Sequence, residues 1–289
     1  MKLSRRKFLT IAGVTLLGIA PEAVLGSNLD SPAHYGRALD TLRVRAAPHD
    51  QATIVKRIWA DSILRLTGTQ GDWFRVAEGY VERTEVQAML PYAPQTVFTL
   101  PQVPFWAEVA APVAPVHAWC AVAAPLVTRV GHGGVLRVID ALADGWYAVE
   151  SDKSAQLGWT QAVFWQAAPE DTPDVDDVRL EISLSEQTLH VYNGKRRVMS
   201  APIATGQALQ TGVYSVQSRQ AGGICCETEN GVFHGVPWHI GFGNYGLVGA
   251  YWHNRFGKPY AGRAIQVSPI IARWLYRQMR ESSTVVITS

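Results

Sequence analysis

Apolar and polar side chains alternate through most of this chain, the period of a half-buried strand. In 42–48, Leu42 and Val44 fall on one face and Arg43 and Arg45 on the other, and Pro48 turns the chain. Residues 54–68 carry two further strand-like pieces. Residues 71–86 read as a hairpin: Trp73, Phe74 and Val76 lead out, Glu78-Gly79 turns, and Tyr80-Val81 return. Five short strands between Tyr35 and Met89 predict a small barrel. The signature recurs downstream, where Gly145, Trp146, Tyr147 and Val149 repeat Gly71, Trp73, Phe74 and Val76. Gly158-Trp159-Thr160 then stands where Gly79-Tyr80-Val81 stood. An internal repeat outweighs any single motif. The Pro/Ala-rich stretch 91–116 reads as an extended, stiff connector, leaving modules at 34–90 and 117–167. The second module is degenerate: HAWCAVAAP (117–125) stands in place of a Leu-x-Val-Arg opening.

An acidic, Pro-bearing connector at 168–177 sets off the last domain, 178–289. There Val178, Leu180, Ile182 and Leu184 alternate, Ser185-Glu186-Gln187 turns, and Leu189 and Val191 return before Asn193-Gly194. Two more strands lie in 199–218. A helical pattern begins at Ser268-Pro269, the N-cap and N1 residues, and 284–288 is a final strand. The expected fold is mainly β, with two small barrels followed by a β-sandwich bearing one C-terminal helix.

The chain of 289 residues has a formal net charge of +2 and an isoelectric point near 8.4. That basicity sits at the start. Arg5 and Arg6 lie between Ser4 and Lys7-Phe8-Leu9, ahead of a modest apolar run from Ile11 to Ala20. This resembles a bacterial twin-arginine (Tat) signal, too short to span a bilayer stably, with a small-residue cut near 24–26. Export to the periplasm or extracytoplasmic envelope follows, with no stable membrane span after cleavage. Without residues 1–26, 22 basic face 23 acidic side chains. No basic stripe then remains to argue for nucleic acid. Three cysteines, Cys120, Cys225 and Cys226, make a poor disulfide framework.

Both small modules resemble bacterial SH3-like domains, in which a Leu-x-Val-Arg strand and a Trp-bearing hairpin recur. The resemblance implies a role in holding cell-wall glycopeptide. The last domain resembles the L,D-transpeptidase catalytic domain (YkuD-like), a β-sandwich of cell-wall cross-linking enzymes. The shared features are the Leu-Ser-x-Gln-Thr-Leu-x-Val-Tyr hairpin (184–192), Ala-Thr-Gly (204–206), Thr211-Gly212-Val213-Tyr214, and GAYWHNRFGKP ahead of Ser268-Pro269.

In that family a cysteine thiolate attacks a stem-peptide carbonyl, a histidine takes its proton, and backbone N–H groups hold the oxyanion. Laid on this chain, the family's His-Gly falls on Val248-Gly249, its base on Gly262 and its nucleophile on Ala264. By the family mechanism the domain is expected to be inactive. The frame persists in Tyr251, Trp252, His253 and Asn254, and Arg263 places a guanidinium where glycine is expected, able to fork onto a carboxylate. Two readings stand: these residues bind peptidoglycan stem peptides or glycan without reacting, or they preserve loop packing. An alternative is an active transpeptidase or carboxypeptidase using Cys225 or Cys226 with His234 or His239. The Cys/His spacings match no zinc finger, so neither metal nor cofactor is expected.

Overall fold

The computed structural model describes residues 34–92, 98–150, 155–169, 178–206, 209–228, 231–260 and 264–289. The twin-arginine segment, most of the 168–177 connector, Gly262 and Arg263 lie outside the described residues. The described chain is mainly β, with one α-helix, α1 (Pro269–Gln278). No described helix is long and apolar enough to cross a membrane.

The first module runs through β1 (His34–Ala38), β2 (Leu42–Arg45), β3 (Ile54–Ile58), β4 (Ile63–Leu66), β5 (Gly68–Gln70), β6 (Trp73–Val76), β7 (Gly79–Glu82) and β8 (Val86–Met89). They form two sheets, β4-β1-β8 and β3-β2-β7-β6-β5, around Leu42, Val44, Phe74 and Val81. The second module comprises β9 (Phe105–Val109), β10 (Val113–His117), β11 (Leu126–Gly131), β12 (Val135–Ala141), β13 (Trp146–Glu150), β14 (Gln156–Gln161) and β15 (Trp165–Ala167). Their order is β11-β10-β14-β13-β12-β9-β15.

The sequence repeat is a repeat of backbone hydrogen bonds. Ala38 N–H donates to Ser62 O and Asp61 N–H to Ala38 O; in the second module Val109 donates to Gly134 and Gly133 to Val109. Leu39 donates to Glu85 as Ala110 does to Phe164. Arg45 pairs Tyr80 as His117 pairs Trp159. At the shared crossing a Cβ on Gly79 would lie 2.2 Å from Arg45 O, and one on Gly158 would lie 2.4 Å from His117 O. Only glycine lets these strands approach so closely.

The alignment also relocates the start of the second copy. Residues 105–116, read above as connector, supply β9 and all but the last residue of β10, and AWCAVAAP (118–125) follows β10 as a loop. Val113–His117 is thus the counterpart of the Leu-x-Val-Arg strand. Ala107, Val109, Ala114 and Val116 alternate into the core, but Ala and Pro between them hide the period that larger residues would advertise.

The last domain contains β16 (Val178–Ser183), β17 (Thr188–Asn193), β18 (Arg196–Pro202), β19 (Gly212–Gln220), β20 (Ile224–Thr228), β21 (Gly231–Val236), β22 (His239–Phe242), β23 (Tyr245–Gly249), β24 (Ile265–Val267) and β25 (Thr284–Thr288). Eight of them form one sheet, β18-β17-β16-β25-β19-β22-β23-β24, while β20 and β21 make a separate hairpin. The long β19 pairs β25 through its first half and β22 through its second, with a register shift between Val216 and Ser218. The two halves share one core of Leu180, Ile182, Leu189, Ile240, Phe242 and Leu247. Ser268 caps α1 by accepting from Ile271 N–H, and α1 buries Ile271, Ala272 and Leu275 against it.

Candidate functional site

The stretch after β23 crosses the meeting point of all three modules. Gly249 N–H donates to Pro237 O and Ala250 N–H to Val267 O, which fixes its start. Gly257 N–H donates to Ile203 O and Tyr260 N–H to Thr205 O, which fixes its far end. Beneath it, the Gln187 side-chain amide donates to Thr205 Oγ1 at 2.8 Å and accepts from Thr205 N–H at 3.0 Å. The resulting cleft has a volume of about 540 Å³. Trp252, His253, Arg255 and Tyr260 line it from the last domain, Arg37 and Asp61 from the first module, and Arg129 from the second.

The conspicuous side chains here make specific contacts. Tyr251 is buried and its hydroxyl donates to His234 O at 2.7 Å, and burial holds its phenol protonated. Trp252 stacks on Phe233 with ring centres 4.8 Å apart. Asn254 Nδ2 donates to Arg83 O of the first module at 2.7 Å. His253 is buried; its Nδ1 accepts from Arg255 N–H at 3.1 Å. The remaining ring nitrogen is therefore the protonated one, and Nε2–H donates to Gln266 Oε1 at 2.6 Å. Burial lowers the His253 pKa to about 4, with Gln266 working against the shift and Arg255 adding to it. A neutral imidazole whose lone pair already receives a backbone N–H is not available to deprotonate a nucleophile.

Val248 is buried in β23 opposite Gln266 of β24, and Ala264 is half-buried immediately before β24. Neither side chain can give, take or share a proton. Cys225 stands opposite His234 and Cys226 opposite Phe233 across β20 and β21. The hairpin so joins three of the four residues of the cysteine alternative. His239 belongs to β22, its ring lying where Cβ atoms on Gly241 and Gly246 would sit. Both thiols are half-buried, and burial, then Cys225 and Glu227, push the Cys226 thiol up, disfavouring the thiolate. None of the three cysteines is in a disulfide, and among the described residues no three His, Cys, Asp or Glu side chains converge as a metal site.

The residues that the other modules bring to the cleft carry little signal in the sequence. Arg37 is buried; its Nη2 donates to Tyr251 O at 2.7 Å and its Nη1 to Pro112 O at 3.2 Å. It lies 3.5 Å from Asp61, which also takes Arg129 at 3.0 Å. A Cβ on Gly131 would meet Arg37 Nη1 at 2.5 Å and the Tyr251 ring at 2.6 Å, so glycine admits both. The sole sequence cue was an arginine in an otherwise strand-like HYGRA segment.

Among solved structures the chain is similar to L,D-transpeptidases. The enzyme from Stackebrandtia nassauensis is 18% identical with a TM-score of 0.32, over 42% of this chain and 59% of that one. The Enterococcus faecium catalytic domain is 15% identical with a TM-score of 0.34, over 40% and 99%. The Mycobacterium smegmatis enzyme is 16% identical with a TM-score of 0.36, over 63% and 99%. The match thus spans less than two thirds of the Stackebrandtia protein. No family model matches the chain, and neither does any curated protein.

Proposed function

We propose that this is an exported, cell-wall-associated protein that binds or scaffolds peptidoglycan, at its stem peptides or glycan, without catalysing transfer. The sequence motifs at 184–192, 204–206 and 251–259 support the wall assignment, and the Arg5-Arg6 signature supports export by the Tat route. One observation supports the absence of catalysis. The cleft's histidine, His253, has both nitrogens committed, while the family's histidine and nucleophile positions carry Val248 and Ala264. The two small modules serve as SH3-like wall-holding units. Arg255 and Glu85 line the cleft beside the Arg129–Asp61 ion pair, so both charge signs are present, which suits a peptide bearing carboxylates and an amine.

The competing reading, an active enzyme using Cys225 or Cys226, draws on Cys225 standing opposite His234. Incubation of the purified protein with tetrapeptide-stem sacculi separates the two. The expected result is protein that co-sediments with sacculi and leaves the muropeptide profile unchanged. New cross-links, or D-alanine release abolished by Cys225→Ala or Cys226→Ala, would overturn the non-catalytic reading. Protein remaining wholly in the supernatant would overturn wall binding.

A further inference from the structure

The two small modules differ at one equivalent place. The hydrogen-bond repeat aligns β3 with β11 and β4 with β12, so Ile58 matches Val130, Trp59 matches Gly131, Ser62 matches Gly134 and Ile63 matches Val135. In the second module the seam between β11 and β12 is filled by polypeptide. The β20–β21 hairpin lies against both strands. Gly223 N–H donates to Val135 O at 2.8 Å, and Gly235 lies close enough that a Cβ there would sit 3.1 Å from Leu136. Val135 belongs to the last domain's core, and Phe233 and Trp252 pack against the second module's core. The chain thus covers this seam with its own hairpin, through one backbone hydrogen bond from Gly223 and close packing of β21 rather than through a strand ladder.

In the first module the same seam is open. It forms a groove of about 360 Å³ whose walls are β3 and β4, each an edge strand of its sheet. Ile63 is 48% exposed where Val135 is fully buried, and Trp59 is 74% exposed. The backbone is poised as well. Ala38–Ser62 is a hydrogen-bonded position of the β1–β4 ladder, so alternation turns the Ile63 N–H and C=O away from β1. Its counterpart, Val135 O, points the same way and is the carbonyl that takes Gly223. Unpaired edges carrying apolar side chains are surfaces that strands add to. The rim is basic: Lys56, Arg57 and Arg65 line the groove against a single carboxylate, Glu78, already paired with Lys56. Among the described residues Arg57 and Arg65 make no ion pair.

We infer that the groove between β3 and β4 docks an extended segment of a partner protein. That segment places one large apolar side chain against Trp59 and Ile63, sets carboxylates on Arg57 and Arg65, and pairs its backbone with Ile63. The surface is separate from the cleft at 251–260 and does not depend on that cleft's function.

The test uses the full chain and a fluorescein-labelled extended peptide with a central phenylalanine flanked by alternating valine and glutamate. Anisotropy is read against four changes. Trp59→Ala, Arg57→Glu, and N-methylation of the peptide's central amides are each expected to weaken binding about tenfold or more. Replacing glutamate by lysine in the peptide is expected to abolish binding. Trp59 and Arg57 are surface residues, so these variants remain folded. An unbound acidic peptide, equal binding of the lysine peptide, or indifference to Trp59→Ala would overturn the proposal. So would sedimentation showing a dimer of this chain that dissociates on Trp59→Ala, since the groove's occupant would then be a second copy.

Discussion

Arg37 donates to the carbonyl of Tyr251 at 2.7 Å across 214 residues of chain. The bond carries a buried guanidinium from the first module into the turn of the last domain that forms the cleft wall. Its other contacts, Pro112 O and Asp61, tie the second module and the β3–β4 turn to the same point. The cleft's shape is therefore a property of the assembled chain.

Arg37→Ala leaves the Tyr251 carbonyl and Asp61 without this donor in a largely dry site. Removing one partner of a buried charged network costs about 3 kcal/mol. Urea denaturation is expected to show a loss of that order, and limited proteolysis to show faster cleavage within 251–260.

The repeat's crossing glycines offer a second check. Gly79→Ala and Gly158→Ala each drive a methyl onto a backbone carbonyl, and each is expected to destabilise by about 3 kcal/mol or more. Gly194→Ala, at a positive φ of 57° but with open space around it, is expected to cost only about 1 kcal/mol. Comparable losses at all three sites would contradict the close approach.

Two buried histidines set an acid limit. Burial lowers both His253 and His132 to about 4. The unfolded chain then binds more protons than the folded one between pH 6.5 and 4. Stability from each neutral imidazole is complete above pH 6.5 and falls away towards pH 4, by about 3 kcal/mol per histidine. Urea midpoints measured from pH 7.5 to 4.5 are expected to fall steadily, and His253→Gln to flatten part of the slope.

Thiol chemistry separates the cysteines. Cys120 is exposed in the loop after β10, whereas Cys226 is half-buried with its thiolate disfavoured. Iodoacetamide at pH 8, followed by peptide mapping, is expected to modify Cys120 well before Cys226. Preferential labelling of Cys226 would revive it as a nucleophile.

Much of the secondary structure was legible in the sequence. Where large β-branched or aromatic residues alternate, as in Val178–Ser183 or Thr284–Thr288, the strands lie where the period placed them. Ser268-Pro269 opened α1 because an N-cap hydroxyl and a fixed φ act locally. The repeat was visible through Trp73 and Trp146. Its start was not, because Ala107, Ala114 and Pro115 fill core strands with residues that score as linker.

By itself the sequence determined that the side chains of Val248 and Ala264 cannot ionise, whatever the fold. It also determined the local turn at Asn193-Gly194, whereas Gly79, read as part of a turn, opens β7 and the turn is Ala77-Glu78. Only tertiary structure decided what the remaining side chains do. His253 is neutral because burial and a backbone N–H make it so, and Asn254 is engaged because Arg83 arrives from another module. The seam of the second module is closed, and that of the first open, because one hairpin of this chain reaches only one of them. Such outcomes depend on through-space contacts between distant segments, and a single sequence carries no record of which distant segments meet.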